Sequence, residues 1–323
     1  MIARAVVVVL LSGLMHAGVV LAQPACPAHA PPAGLTRIAE VMTTGRFVAY
    51  QPTALHMVNG RATPADAASI AEDLKVLRPY FDGLITYGAH SGGERVADVA
   101  ATLGFRAVIM GVWEIASAAE RAAVVAAAKR APGLVAGVSV GNEVVYGRRG
   151  TFADVAAAMR DLRAAMPDVA IAATEPFHVL LGPDARPALE AADLLLPIVH
   201  PVFEPWYKAA PDANAAEFVV NVTAELARVY CGPILVKETG VPTAPAELGF
   251  TPARQAAFYR ELQRQFSPSA AKAFAYFSAF DAPWRVNDSH PVPGDHPEEA
   301  HWGLFDADRK PKPVAGVIAP LRR

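Results

Sequence analysis

Two glutamates sit where carboxylate chemistry could be done. Glu143 closes Val140-Gly141-Asn142-Glu143. Glu238 closes Leu235-Val236-Lys237-Glu238 and is followed by Thr239-Gly240-Val241-Pro242. Each ends a run of branched apolar residues. A pair of carboxyls suits cleavage of a glycosidic bond. One, kept protonated by burial, donates to the leaving oxygen. The other attacks the anomeric carbon and forms a covalent glycosyl-enzyme, the two lying about 5 to 5.5 Å apart. Asn142 could then hydrogen-bond the sugar 2-hydroxyl, a contact that strengthens in the transition state. A lone glutamate in such a place is more often an ion-paired structural residue; the pairing is what points to catalysis.

Other polar and aromatic residues follow apolar runs in the same way. They are Gln51, Tyr87, His90, Trp113, Glu114, Glu175, His200, Glu204, Asp281 and Trp284. Flat rings suit the apolar faces of sugars, so Trp113 and Trp284 are candidate platforms, as are Trp206, Tyr207 and Trp302. Tyr87, Glu175, His200 and Glu204 are candidates for binding sugar hydroxyls; core packing, ion pairs and a satisfied structural histidine are the plainer alternatives. His290, His296 and His301 lie among Asp288, Asp295, Glu298 and Glu299, but their spacing matches no metal-ligand pattern. No Ser-His-Asp order or nucleophile elbow supports acyl transfer.

The elements that would position these residues alternate along the chain. Short apolar runs at 46–51, 83–87, 105–111, 134–140, 169–174, 193–199, 233–237 and 273–279 read as strands buried on both faces. Helical signals fall between them. Ser117 and Glu120 make a capping box. Phe152, Val155, Met159, Leu162 and Met166 share one helical face. Thr251-Pro252 reads as N-cap and first helical position. Eight such strands predict a (β/α)8 barrel, the TIM barrel, whose active site lies at the C-terminal ends of its strands. Strands four and seven are opposite in that ring, so Glu143 and Glu238 can meet across its mouth. An open doubly wound sheet is the rival, but no Gly-rich phosphate loop follows the first strand.

The chain of 323 residues is 53% hydrophobic and 19% charged, enough for a large core. Residues 1–22 read as a signal peptide, with Arg4 before an apolar stretch and small residues at Val20-Leu21-Ala22; an uncleaved anchor is the alternative. Residues 23–44 form a Pro-rich leader, and 45–323 form one barrel domain. The formal charge is −2. That argues against nucleic acid and suits a neutral substrate such as a glucan. Cys26 and Cys231 precede the first and seventh strands, so both would lie at the N-terminal end of a barrel. They either pair outside the cytoplasm or remain two separate thiols.

The glutamate motifs resemble glycoside hydrolase family 17, the β-1,3-glucanase-like family of retaining barrels. Its acid/base motif, Gly-Asn-Glu, is matched by Gly141-Asn142-Glu143. Its nucleophile motif, Glu-Thr-Gly-Trp-Pro, is similar to Glu238-Thr239-Gly240-Val241-Pro242. Phe280-Asp281-Ala282-Pro283-Trp284 and His301-Trp302-Gly303-Leu304-Phe305 resemble two later segments, so the likeness covers roughly residues 45 to 315. Val241 stands in place of the usual Trp. His200-Pro201-Val202-Phe203-Glu204 departs from the plant motif, while His200 and Glu204 fit the bacterial branch.

The resemblance implies a retaining hydrolase or transglycosylase acting on β-1,3-linked or related β-glucan. Glu143 would be acid/base and Glu238 nucleophile. No cofactor or metal is required, and the setting would be periplasmic or secreted. A non-catalytic periplasmic glycan-binding barrel and a sister-family retaining β-glycanase of other linkage are the alternatives. Neither endo or exo action nor oligomeric state follows from the sequence.

Overall fold

Short runs of branched and small apolar residues can be buried on both faces only in a parallel sheet covered by helices. In the computed structural model, which describes residues 23–58, 61–287 and 294–321, the eight runs form that sheet and close it into a barrel. The strands are β1 (Phe47–Ala49), β2 (Gly83–Ile85), β3 (Ala107–Val112), β4 (Val135–Val140), β5 (Ala170–Ala173), β6 (Leu194–Leu195), β7 (Ile234–Val236) and β8 (Lys272–Tyr276). Each pairs in parallel with the next, and β8 closes on β1 with Phe47 opposite Ala275. The register slips by one residue between β3 and β4, at Val108/Ile109.

The helices are α1 (Ala33–Thr44), which precedes β1, and, around the sheet, α2 (Ala67–Leu77), α3 (Val96–Thr102), α4 (Ala118–Arg130), α5 (Phe152–Ala165), α6 (Phe177–Leu180), α7 (Arg186–Ala191), α8 (Asp212–Val229) and α9 (Pro252–Gln265). The expected helix signals mostly hold. Thr251 caps α9 with Pro252 at its first position. Phe152, Val155, Met159, Leu162 and Met166 are all buried. The expected box at Ser117 is only half formed. Ser117 accepts from the Glu120 amide. The Glu120 carboxylate instead accepts from the amides of Ala89, Trp113 and Glu114. It ties together the loops after β2 and β3, which a local box could not do. The complete capping box is on α5, between Thr151 and Asp154.

Side chains separate into two cores. One lies outside the sheet, under the helices. The other fills the lumen with Ile85, Ile109, Ala172, Leu194, Leu235 and Ala275. Ile38, Val41 and Met42 of α1 join the lumen core. The segment expected as a leader therefore contains a helix that stoppers the bottom of the barrel. It fits closely: a Cβ on Gly34 would meet the Ala136 carbonyl oxygen at 2.0 Å. A hairpin of His56–Val58 and Arg61–Thr63 follows β1 and was not expected.

The two cysteines are joined, Cys26 to Cys231. Ala25 forms a parallel bridge to Tyr230, and the Cys231 amide donates to the Ala25 carbonyl. This fastening sits at the N-terminal end of β7, away from the strand ends that carry the glutamates. Among the described residues no helix is long and apolar enough to cross a membrane. The expected signal peptide, residues 1–22, lies outside the described residues.

Candidate functional site

Glu143 is delivered by a turn that ordinary backbone would not make. Gly141 has φ of 76° and Glu143 itself has φ of 53°. A non-glycine residue in the left-handed region costs of order 1–3 kcal/mol and persists only where its surroundings enforce it. Here they do. The Glu143 amide donates to the Thr174 carbonyl, and its own carbonyl accepts from Gly147. The buried Glu175 carboxylate accepts from the amides of Val145 and Tyr146, at 2.8 and 3.1 Å. Burial raises the Glu175 carboxyl, against those amide hydrogen bonds and Arg149.

Glu238 follows β7, and its carbonyl accepts from the Val199 amide. Its carboxylate is buried beside a lysine and a histidine. Lys237 Nζ is 3.5 Å from Oε1, and His200 Nε2 is 3.7 Å from Oε2. Burial alone would push the Glu238 carboxyl up. His200, Lys237 and Arg285 more than offset it, so the group sits below its ordinary value. Glu143 is driven the other way. Burial first, then the charges of Glu238 and Glu175, push it up to about 8 against Lys237 and Arg285. Two carboxyls in one field are thus split into a neutral one that can donate a proton and an anionic one that can attack.

Of the other expected site residues, Asn142, Tyr87 and His200 are linked to this pair through Lys237 or Glu238. Asn142 is buried, and its side-chain oxygen accepts from Lys237 Nζ at 2.5 Å. Tyr87 lies with its ring under Lys237 Nζ, 4.3 Å from the ring centroid. Burial, then Glu238, raises its phenol well above the ordinary value. His200 rests on the buried ring of Trp302 at 4.6 Å between centroids, with Phe277 at 5.0 Å. Trp113 is 39% exposed, with the Arg149 guanidinium over its ring. Arg149 also donates to the Asn142 carbonyl, so it braces that ring beside the Glu143 turn. Glu204 is half-buried, and its carboxylate has no hydrogen bond or ion pair among the described residues.

Trp284 lines a cleft of about 380 Å³, together with Gln51, Phe280, Tyr87 and Arg285. That volume is within the range of small-molecule sites. Tyr87 and Arg285 connect the cleft to the carboxyls, since both interact electrostatically with Glu238.

Several other candidates are structural. Trp206 packs on Phe218, Tyr207 is buried under Arg254, and Trp302 is buried beneath His200. Asp281 is held by Lys312 at 2.6 Å. Glu299 pairs with Arg285 and accepts from Trp302 Nε1, and Glu298 pairs with His296. His290 lies outside the described residues.

Sequence reasoning missed Lys237 and Arg285. Lys237 stood in the quoted motif, and a lysine inside an apolar strand signals a paired buried charge. Arg285 carried no signal beyond its place after Trp284.

A family model for the BtgE/BtgC glycoside hydrolase domain matches residues 48–303 of this chain. A glucan 1,3-beta-glucosidase of Arthroderma benhamiae is 27% identical over 271 residues, covering 76% of this chain and 84% of that protein. Among solved structures, the glycoside hydrolase family 17 β-1,3-glucanosyltransferase of Rhizomucor miehei superposes with a TM-score of 0.63 at 20% identity. The match covers 84% of this chain and 97% of that one. An active-site mutant of the Rhizomucor miehei β-1,3-glucanosyltransferase, in complex with laminaritriose, gives 0.62 at 18% identity, covering 83% and 96%. Together these bear out the family 17 likeness drawn from the glutamate motifs.

Proposed function

Because the chain belongs to the family of the BtgE/BtgC glycoside hydrolase domain, we propose that it is a retaining enzyme acting on β-1,3-linked or related β-glucan, with Glu143 as acid/base and Glu238 as nucleophile. The observation that carries this reading is the split of the two carboxyls, Glu143 pushed up to about 8 and Glu238 held below its ordinary value. The neutral Glu143 protonates the leaving oxygen as Glu238 attacks C1. Glu143, now a carboxylate, then takes a proton from the water or sugar hydroxyl that resolves the glycosyl-enzyme. Asn142 binds the 2-hydroxyl. Trp113 and Trp284 offer ring platforms, and Tyr87, His200 and Glu204 complete the polar lining. Glu175 acts mainly on the turn that presents Glu143.

The substrate linkage rests on the relatives, one a glucan 1,3-beta-glucosidase and one bound to laminaritriose. Residues 45–323 act as one catalytic barrel. The Cys26–Cys231 disulfide supports a periplasmic or secreted setting.

Laminari-oligosaccharides are the test substrate. Glu143→Gln and Glu238→Gln should each lower kcat by about 10³-fold or more, the scale seen when one member of a catalytic unit is removed. Azide should restore turnover to Glu238→Ala and yield the α-glycosyl azide, since azide enters from the face the nucleophile vacates. Turnover near the parental rate in the glutamine variants would end this reading. Binding measured by calorimetry with no product from the parent chain would instead make it a glycan-binding barrel. Product masses separate the two fates of the intermediate: longer chains mean transfer, and reducing ends alone mean hydrolysis.

A further inference from the structure

Lys237 is the most unusual buried group in the molecule. Its side chain is wholly inside the barrel, two residues beyond Leu235 on the lumen face of β7. Three groups hold its ammonium: the Asn142 amide oxygen at 2.5 Å, the Glu238 carboxylate at 3.5 Å and the Tyr87 ring at 4.3 Å. The nature of the first contact decides something about Asn142. An ammonium has three donors and no acceptor. The Asn142 atom facing it must therefore be oxygen, and this fixes which way the amide is flipped. The NH2 end is left as the outward donor. An aspartate or a flipped amide at residue 142 would offer no donor to the sugar hydroxyl.

We propose that Lys237 is a positioning residue of the active site: it locks the Asn142 amide with its NH2 toward the sugar 2-hydroxyl and serves as the fixed counter-charge of Glu238. This rests on the Glu143/Glu238 reading above and adds a third strand-end residue to it. The charged and titratable groups around Lys237 are Glu238 on its own strand, Glu143 and Glu175 across the mouth, and Tyr87 beneath it. His200 and Arg285 are the other groups that lower Glu238. Burial lowers the Lys237 pKa against the pull of the three glutamates. Removing the Lys237 charge raises Glu238 and Glu143 together, because the amine stabilises both carboxylates. Both limbs of the kcat/KM profile then move to higher pH.

Two variants divide the roles. Lys237→Met removes both the amide lock and the charge. Lys237→Gln retains a donor for Asn142 without charge. On laminari-oligosaccharides, Lys237→Met should lower kcat/KM by about 100-fold, the scale of a misplaced catalytic contact, with most of the loss in kcat. Its acid limb should rise by about one pH unit or more, as expected when an opposite charge is removed from beside a carboxylate. Lys237→Gln should show the same limb shift with a smaller loss of rate. Adding Asn142→Ala to Lys237→Met should cost much less than the product of the two single losses, because the lock is already gone.

A folded Lys237→Met with kcat/KM within threefold of the parent and an unmoved limb overturns the inference. So do losses that multiply fully in the double variant. If neither lysine variant folds, Lys237 is framework and the inference also fails. The Glu238→Ala azide experiment keeps this separate from the underlying reading. Azide rescue alongside a normal Lys237→Met removes only the lysine role, whereas an active Glu238→Ala removes both.

Discussion

A carboxyl that titrates near 8 when folded and near 4.5 when free ties folding to protons. Below about pH 4.5 both states of Glu143 are protonated and nothing is lost. As pH rises from 4.5 towards 8, the unfolded chain releases this proton while the folded chain retains it. Stability must then fall with pH through that window. Glutamine keeps the shape and removes the titration, so Glu143→Gln should be the more stable protein at pH 7, by about 1–3 kcal/mol. The thermal midpoint should be several degrees above the parent at pH 7 and equal to it at pH 4. The same group should set the basic limb of parental activity near pH 8. A midpoint difference that does not change with pH would show that Glu143 is not held neutral. The sequence made Glu143 and Glu238 legible because both close apolar runs in recognisable motifs. It did not make the split legible. That depends on Lys237, His200 and Arg285 gathering at Glu238, and these residues come from just past β7, the loop after β6 and the loop after β8.

At the scale of elements, the alternation of apolar runs was enough to find all eight strands. A parallel strand covered on both faces has little freedom in residue type. Their ends were less legible: residues 193–199 were expected, whereas β6 pairs only over Leu194–Leu195. The stopper helix was hidden under its prolines, although Leu35, Ile38, Val41 and Met42 have helical spacing. The hairpin after β1 had its own sign in Asn59-Gly60, a favoured two-residue turn sequence. The glutamates near the strand tops were the hardest to sort. In sequence Glu120 reads as a capping-box residue and Glu175 as a candidate sugar ligand, yet each uses both oxygens on backbone amides. Glu175 holds the turn in which Glu143 has its left-handed backbone. Glu175→Ala should therefore release that turn. The expected result is a fall in kcat of about 10- to 100-fold with smaller change in KM, from misplacement of the acid/base. Far-ultraviolet circular dichroism should be unchanged. If instead KM rises alone, Glu175 is a sugar ligand and its amide bonds are incidental.

Across the whole molecule, the two ends of the barrel have different tasks. The top holds a strained turn and a cluster of partly compensated charges, and neither favours stability. The bottom is fastened. The α1 helix fills the lumen from below, Ala25 pairs with Tyr230, and His29 reaches the buried Asp193 at 2.5 Å. The disulfide closes this end by linking residues 205 apart in sequence. A bridge over so long a loop restricts the unfolded chain strongly, for about 2–5 kcal/mol of stability. Its distance from the strand tops means it should contribute nothing direct to catalysis. Replacing both cysteines by serine should lower the thermal midpoint by roughly 5–10 °C while kcat at 25 °C stays within twofold. Reductant should lower the parental midpoint by a similar amount and leave the serine variant unmoved. A serine variant that keeps its midpoint but loses activity would contradict this division, because it would make the fastening at the bottom part of the apparatus at the top.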